Sequence, residues 1–295
     1  MAVLDVIQTP AFQQRFFFLA KRFIAGETAA QAMDAVAALN AQGMSATLDF
    51  LGEDVTARAE AERTRDAYLE LLDAIRTRGV ETNVSVKLTA MGLLVDEDFA
   101  FENLAAVVDD ASNNPDPFVR IDMEGSAVTD ATLRVFERTY ARTKHVGPVL
   151  QAYLKRTPAD VEHAIELGAR VRLCKGAYNE PPTIAYKDMP TIRSHYMRSA
   201  EALLERGTYP GIATHDLRLI GAVETFVRER NIPRDRFEFQ LLYGVRPDLQ
   251  RRLVDEGFRV RIYVPYGTHW AGYFYRRVTE RKENAFFALR SVLTR

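Results

Sequence analysis

The chain has 295 residues, of which 47% are hydrophobic and 27% are charged, a composition typical of a soluble globular protein and not of a disordered segment. Its 39 basic residues nearly balance its 40 acidic ones, so the net charge of −1 gives no general attraction to nucleic acid or to an acidic membrane. The single cysteine, Cys174, excludes an internal disulfide and a cysteine-based zinc site. These features predict a cytoplasmic protein that does not bind nucleic acid.

The first 45 residues are predicted to form an N-terminal helical segment before the main domain, residues 46–295. No apolar run in the sequence is long enough to span a bilayer, and the N-terminus lacks the order of a secretory signal. Residues 12–23 interleave phenylalanine and leucine with Arg15, Lys21 and Arg22. This pattern fits an amphipathic helix in peripheral contact with the inner face of a membrane, and it fits equally a helix packed on the protein body.

From residue 46 onward, short β-prone runs alternate with longer helical stretches, which is the order of a parallel sheet with helices outside it. The strand candidates are Ala46–Leu51, Asn83–Thr89, Val119–Glu124, Val149–Leu154, Ala169–Lys175, Gly211–His215, Phe237–Tyr243 and Arg259–Pro265. Eight strands spaced about thirty residues apart predict an α/β fold, a (β/α)8 TIM barrel, with extra N-terminal helices.

Capping residues mark the predicted helices between these strands. Thr157 is predicted to cap a helix that has Pro158 in its first turn and ends at Gly168. Asp216 is predicted to cap the helix after the sixth strand, and Gly257 to end the helix before the eighth.

The predicted strands alternate between an apolar and a polar set of positions. The apolar set, which should pack under the helices, includes Val84, Val86, Leu88, Val119, Ile121, Met123, Ala169, Val171, Leu173, Val260, Ile262 and Val264. The opposite set, which should point into the barrel, includes Asp49, Ser85, Lys87, Arg120, Asp122, Gln151, Arg170, Arg172, Glu238, Gln240, Arg259 and Arg261. Because a buried charge loses its hydration, these charges must be paired or solvated.

The position of a polar residue along its strand separates functional from structural candidates. Barrel enzymes carry their sites at the C-terminal strand ends, so the functional candidates are Lys87, Asp122, Gln151, Arg172 and Lys175. Mutual salt bridges are predicted for the deeper residues, Arg120, Arg170, Glu238, Arg259 and Arg261.

Several blocks at the predicted strand ends are similar to those of one enzyme family. They are Ser85-Val86-Lys87-Leu88-Thr89, Arg120-Ile121-Asp122-Met123-Glu124, Val171-Arg172-Leu173-Cys174-Lys175-Gly176-Ala177-Tyr178, Ala213-Thr214-His215-Asp216, Phe239-Gln240-Leu241-Leu242-Tyr243-Gly244, Arg261-Ile262-Tyr263-Val264-Pro265-Tyr266-Gly267 and Tyr273-Phe274-Tyr275-Arg276-Arg277. In this order, over roughly residues 45–290, the sequence resembles the proline dehydrogenase family in its single-activity bacterial form.

The resemblance implies a distorted TIM barrel that holds FAD non-covalently at its mouth, where no glycine-rich dinucleotide motif is needed. It implies transfer of a hydride from C5 of L-proline to flavin N5, which yields 1-pyrroline-5-carboxylate, with a quinone as electron acceptor. It also implies that a separate aldehyde dehydrogenase oxidises the product.

Site residues are carried over from the resemblance position by position. The substrate-binding matches are Lys87, Leu242, Tyr263, Tyr273, Arg276 and Arg277, and the matches at the reacting centre are Asp122 and Arg172. The flavin-contacting matches are Met123, Gln151, Arg172, Lys175, Gly176, Ala177, Thr214 and His215. No metal site is implied, since the His215-Asp216 pair lacks neighbouring ligands.

A helix beginning near Thr268 would place Tyr273, Arg276 and Arg277 on one face, where two guanidinium groups can bind a carboxylate. The ring of Tyr273 should exclude the hydroxyl of hydroxyproline.

Two other functional classes stay open from the residues alone. Lys175 at a strand end also fits a Schiff-base aldolase, and the barrel could be a catalytically silent binding module. A flavin-dependent folate reductase would share the flavin and the barrel.

Overall fold

The computed structural model describes residues 20–279, with side chains described up to Tyr275. Eight parallel strands pair in chain order and close into a barrel, with β8 beside β1. The strands are β1 (Ser45–Phe50), β2 (Thr82–Val86), β3 (Val119–Ile121), β4 (Val146–Gln151), β5 (Arg172–Cys174), β6 (Gly211–Ala213), β7 (Glu238–Leu242) and β8 (Val260–Tyr266). The predicted (β/α)8 barrel is therefore confirmed, and each strand overlaps its predicted range.

Helices cover the outside of the barrel. They are α1 (Ala29–Asn40), α2 (Arg58–Arg78), α3 (Glu97–Ala111), α4 (Ser126–Arg142), α5 (Thr157–Leu167), α6 (Met189–Arg206), α7 (Leu217–Glu229), α8 (Pro247–Asp255) and α9 (Trp270–Thr279), with a short 3-10 helix at Arg234–Arg236. Helix α1 precedes the barrel. Most of the amphipathic segment 12–23 lies outside the described residues. Within residues 20–279, no helix combines the length and the apolar character needed to cross a membrane.

Three of the four predicted helix boundaries are confirmed. Gly168 ends α5 in a left-handed backbone with φ of 74°. The Asp216 carboxylate caps α7 by accepting a hydrogen bond from the Arg218 backbone N–H at 3.2 Å. Gly257 follows the end of α8 with φ of 81°, which is a left-handed backbone that favours glycine. The predicted cap at Thr157 is wrong, because α5 already includes this residue and its hydroxyl donates to the Gln151 carbonyl instead.

The apolar core lies between the strands and the helices. The outward-facing valines of β2 and β8 are fully or almost fully buried there, as are those of β3 and of the segment leading into β5. Burial of one such side chain contributes roughly 1.5–3 kcal/mol to folding, so this shell supplies the main driving force. Met123 is a correction to the predicted apolar set. It follows the end of β3, where strand alternation no longer applies, and it lines the cavity at the barrel mouth.

The barrel interior is polar, as the alternation predicts. Arg261 forms ion pairs with Glu238 at 2.8 Å and with Asp116 at 3.2 Å, and Glu238 accepts a hydrogen bond from Gln240 at 2.5 Å. Gln240 in turn accepts a hydrogen bond from Arg172. A continuous chain of polar contacts therefore runs through the barrel from its mouth to its N-terminal rim.

Mutual salt bridges among the deeper residues are confirmed only for Arg261 and Glu238. Arg120 is a correction, because among the described residues it meets no carboxylate within 4 Å and donates to the carbonyls of Pro148, at 3.1 Å, and Arg170. Burial lowers the pKa of Arg120 well below its usual value, and the charges of Arg172 and Arg170 lower it further.

Arg170 and Arg259 are also corrections, because both precede their strands and strand alternation does not orient them. The Arg170 guanidinium lies 4.2 Å from the ring centroid of Phe118 and 4.7 Å from that of Tyr209. Arg259 donates a hydrogen bond to the Tyr209 hydroxyl at 3.3 Å. Stacking on aromatic rings stabilises these cations in place of carboxylates.

Close packing inside the barrel can be tested by substituting Gly147 in β4. A Cβ at this position would overlap the Arg170 carbonyl oxygen and the Phe118 ring. We expect Gly147→Ala to lower the free energy of unfolding by about 1–3 kcal/mol, measured by urea denaturation. Gly221 in α7 is the matched control, because a Cβ there meets nothing within 4 Å. Gly221→Ala should raise stability by about 1 kcal/mol, and equal effects of the two variants would contradict the packing argument.

Candidate active site

A cavity of about 550 Å³ opens at the C-terminal ends of the strands, within the range of roughly 300–1,000 Å³ typical of ligand sites. Thirteen predicted site residues line it: Lys87, Asp122, Met123, Gln151, Arg172, Lys175, Gly176, Ala177, Thr214, His215, Leu242, Tyr263 and Tyr273. Arg276 and Arg277 lie on α9, but their side chains are outside the described residues. A second cavity, of about 740 Å³, lies at the N-terminal rim, away from the strand ends that carry barrel active sites.

Lys87 and Asp49 form a buried ion pair at this mouth. The Lys87 ammonium lies 2.8 Å from each carboxylate oxygen of Asp49, which is fully buried, and 3.5 Å from the Tyr263 hydroxyl. Burial alone would lower the pKa of Lys87, but the nearby carboxylates of Asp49 and Asp122 outweigh it and raise this pKa. Lys87 therefore remains a cation in the cavity wall.

Asp122 lies just after β3 and connects two opposite walls of the barrel. Its carboxylate accepts hydrogen bonds from Arg172 at 2.6 Å and from the Tyr263 hydroxyl at 2.7 Å. Burial raises the pKa of Tyr263 well above its usual value, and the Asp122 charge acts in the same direction. The Tyr263 hydroxyl consequently stays protonated and donates to Asp122.

Arg172, the first residue of β5, is held by three different strands. Its guanidinium donates to Gln240 on β7, to Asp122 at 2.6 Å and to the Ser85 hydroxyl on β2 at 3.0 Å. It also lies 5.3 Å from the Tyr263 ring centroid. Because a guanidinium has five N–H donors, these contacts fix its orientation and leave donors for a ligand.

A second charged cluster joins β5, α6 and α7. The Asp216 carboxylate lies 3.3 Å from the Lys175 ammonium and 2.7 Å from the Arg193 guanidinium. Burial opposes ionisation of Asp216, but the hydrogen bond from Arg193 and the charge of Lys175 outweigh it and lower its pKa. Next to this cluster, His215 accepts a hydrogen bond from the Leu242 backbone N–H at 3.0 Å, which assigns the unprotonated nitrogen to Nε2.

The turn after β5 brings backbone against the cavity. Gly176 has φ of 112°, and a Cβ at this position would overlap the Tyr153 ring. Only glycine fits this close approach, which leaves the backbone of residues 176 and 177 exposed to a ligand. Cys174 also borders the cavity, where burial raises the pKa of its thiol to about 12.

Four residues around the cavity received no functional role from sequence reasoning. Asp49 and Gln240 belong to the predicted inward set, but their contacts with Lys87 and Arg172 join separate strands and cannot be read from the sequence. Tyr153 lines the cavity without belonging to any quoted block. Glu124 is the last residue of the block that contains Asp122. Its burial would have indicated a special role, but burial cannot be read from the sequence. Burial raises the pKa of the Glu124 carboxyl to about 7, although hydrogen bonds from Thr89 act to lower it.

The raised pKa of Glu124 predicts a pH-dependent stability difference. Between an unfolded pKa of about 4.3 and the folded value near 7, the unfolded chain releases the proton first, so stability from the protonated carboxyl is lost as pH rises. Relative to Glu124→Gln, wild type should therefore lose about 3 kcal/mol between pH 4 and pH 8, measured by urea denaturation. Glu166→Gln on the exposed face of α5 is the control. A pH-independent difference for Glu124→Gln would contradict the prediction.

Comparison with known proteins places this chain in a family. The sequence model described as proline dehydrogenase matches residues 32–290. Proline dehydrogenase of Deinococcus radiodurans is 38% identical over 99% of this chain and 97% of its own length. Proline dehydrogenase 1 of Bacillus subtilis (strain 168) is 38% identical over 93% of this chain and 90% of its own.

Solved structures agree with the sequence comparison. Proline utilization A (PutA) from Bdellovibrio bacteriovorus, solved after inactivation by N-propargylglycine, matches 90% of this chain with a TM-score of 0.83 and 28% identity. This chain spans 33% of the length of that PutA chain. With a family match over most of its length, the chain belongs to the proline dehydrogenase family.

Proposed function

We propose that this chain oxidises L-proline to 1-pyrroline-5-carboxylate with FAD as the hydride acceptor, and that a quinone receives the electrons. Membership of the proline dehydrogenase family supports the reaction. The single observation that carries the proposal for the site is that the thirteen matched residues with described side chains all line one cavity at the barrel mouth. The reaction is the first step of proline catabolism.

The cavity offers groups suited to each part of proline. Lys87 would bind the carboxylate together with Arg276 and Arg277, whose side chains lie outside the described residues. An ammonium has three N–H donors, so Lys87 can contact both Asp49 and a substrate. Tyr263 and Tyr273 supply ring faces for the apolar part of proline, and fixed contacts to Asp122 and Lys87 orient Tyr263.

The remaining lining residues suit a flavin. Arg172, Gln151, Lys175, Thr214 and His215 supply polar contacts, while the glycine turn at residue 176 supplies a close backbone surface. These residues would hold FAD, which would supply the hydride-accepting chemistry of the proposed reaction. The Arg172 guanidinium is held in advance by Asp122 and Gln240, so it can stabilise negative charge without reorganising.

The structure gives less support to a Schiff-base aldolase. Nucleophilic lysines lie in apolar pockets or beside another cation. Lys175 instead pairs with the Asp216 carboxylate at 3.3 Å. Peripheral contact with the inner face of a membrane and a separate aldehyde dehydrogenase stay predictions from the sequence and its resemblance.

The cofactor and the substrate can be tested in one anaerobic absorbance experiment. We expect the purified protein to show the flavin band near 450 nm and to bleach on addition of L-proline. L-Alanine, which has the carboxylate and the amine without the ring, is the control and should leave the band unchanged. A band unmoved by proline would overturn the substrate, and a colourless protein that cannot be reconstituted with FAD would overturn the cofactor.

Tyr273 generates a prediction about specificity, because its ring is largely buried in the cavity wall. Wild type should prefer L-proline to trans-4-hydroxy-L-proline in kcat/KM by at least about tenfold, since the ring leaves no room for the added hydroxyl. Tyr273→Ser should lower the preference for L-proline over hydroxyproline, whereas Tyr273→Phe keeps the ring and should preserve this preference. Comparable turnover of both substrates by wild type would show that the ring does not select between them.

A further inference from the structure

Glu124 lies behind the cavity wall and joins neighbouring strand ends through both its side chain and its backbone. Glu124 is 4% exposed. Its carboxylate accepts two hydrogen bonds from Thr89, one from the backbone N–H at 3.1 Å and one from the hydroxyl at 2.5 Å. Its backbone carbonyl accepts a hydrogen bond from the Gln151 amide at 3.0 Å. Residues after β2 and at the end of β4 are therefore fixed to the same position after β3.

Thr89 extends this network to the loop after β1. Its hydroxyl accepts a hydrogen bond from the Asp54 backbone N–H at 2.9 Å, and its carbonyl accepts one from Val55 at 3.2 Å. The same turn begins at Lys87, whose carbonyl accepts hydrogen bonds from Ala90 and Met91. One carboxylate thus holds the turn that carries Lys87.

Glu124 does not line the cavity, so it does not reach a bound substrate directly. Lys87 and Gln151, which do line it, lie on the two segments that Glu124 fixes. We propose that the ionised Glu124 carboxylate is a positioning residue that aligns Lys87 and Gln151 for proline oxidation. This inference rests on the proposed function, since it assigns to Glu124 a role in that reaction.

The ionisation state affects the geometry because a carboxylate only accepts hydrogen bonds, whereas a carboxylic acid has an O–H donor on one of its two oxygens. Protonation would therefore reverse or break the bond between Glu124 and the Thr89 hydroxyl. Burial has the largest effect on the pKa of Glu124 and raises it; among the described charged groups, Lys87 lowers this pKa and Glu53 raises it by smaller amounts. With burial, these bring the pKa to about 7, so the aligned form is present above neutral pH and lost below it.

The test compares wild type with Glu124→Gln, which keeps the shape of the neutral acid. Release of the substrate amine proton affects both enzymes equally, so it cancels in the ratio of their kcat/KM values for L-proline. We expect the kcat/KM of wild type divided by that of Glu124→Gln to rise from near 1 at pH 6 to about 10 at pH 8.5. Most of this rise should come from a lower KM of wild type, because Lys87 binds the substrate. A ratio independent of pH would overturn the inference.

Thr89→Val provides a second variant that keeps Glu124 and removes the Thr89 hydroxyl, with its contacts to Glu124 and to the Asp54 backbone N–H. Because the contact to Glu124 lowers the pKa of its carboxyl, the rise in kcat/KM should move to higher pH in Thr89→Val. An unshifted profile would overturn the inference even where Glu124→Gln fails to fold. Glu166→Gln serves as the control and should follow wild type at every pH.

The proposed function is checked separately on wild type, so that the two failures can be told apart. Absence of proline oxidation by FAD-loaded wild type would contradict the proposed function. An active wild type whose ratio to Glu124→Gln stays flat would contradict only the role of Glu124.

Discussion

The cost of placing charges inside a closed barrel is the constraint on which the rest of the structure depends. Most barrels fill this space with branched apolar side chains, whereas this one contains Asp49, Lys87, Arg172, Glu238 and Arg261. Removing one partner of a buried pair leaves an uncompensated charge, which is far more costly than losing a surface pair. Each of these five charges is therefore paired with an opposite charge from another strand or from the residue that follows one.

This pairing has the effect of orienting the candidate site. The same contacts that neutralise Arg172 also fix its guanidinium, and the contact that neutralises Asp49 also fixes Lys87. Site residues and barrel interior form one network, so the geometry at the mouth is set before a ligand binds. The apolar shell outside the strands supplies the stability that such a polar interior does not provide.

Much of the fold was predictable because two periodicities are written directly in the chain. Strand and helix alternation gave the barrel, and the period-two pattern gave the polar interior. It failed outside the strands, at Met123, which follows β3, and at Arg170 and Arg259, which precede β5 and β8, because strand alternation does not set side-chain direction there. The grouping of the site followed from the strand ends, but the roles of its residues came only from family resemblance.

What the sequence could not supply was burial and pairing between distant residues. Glu124 looks like an ordinary acidic residue in a loop until its surroundings are known, and Asp49 gives no sign that it holds Lys87. Arg120 was expected to find a carboxylate, yet backbone carbonyls solvate it instead. Such contacts join residues 28 to 87 positions apart, a separation at which no local pattern operates.

The environment of Cys174 makes its thiol compatible with an electrophilic product in the same cavity. The sulfur borders the same cavity as the proposed reaction, whose product carries an electrophilic carbon–nitrogen double bond. The thiolate is the form of cysteine that attacks electrophiles and is oxidised, and the raised pKa of Cys174 keeps the thiol protonated at physiological pH. The protein can therefore form an electrophile beside its one sulfhydryl group without trapping it as an adduct.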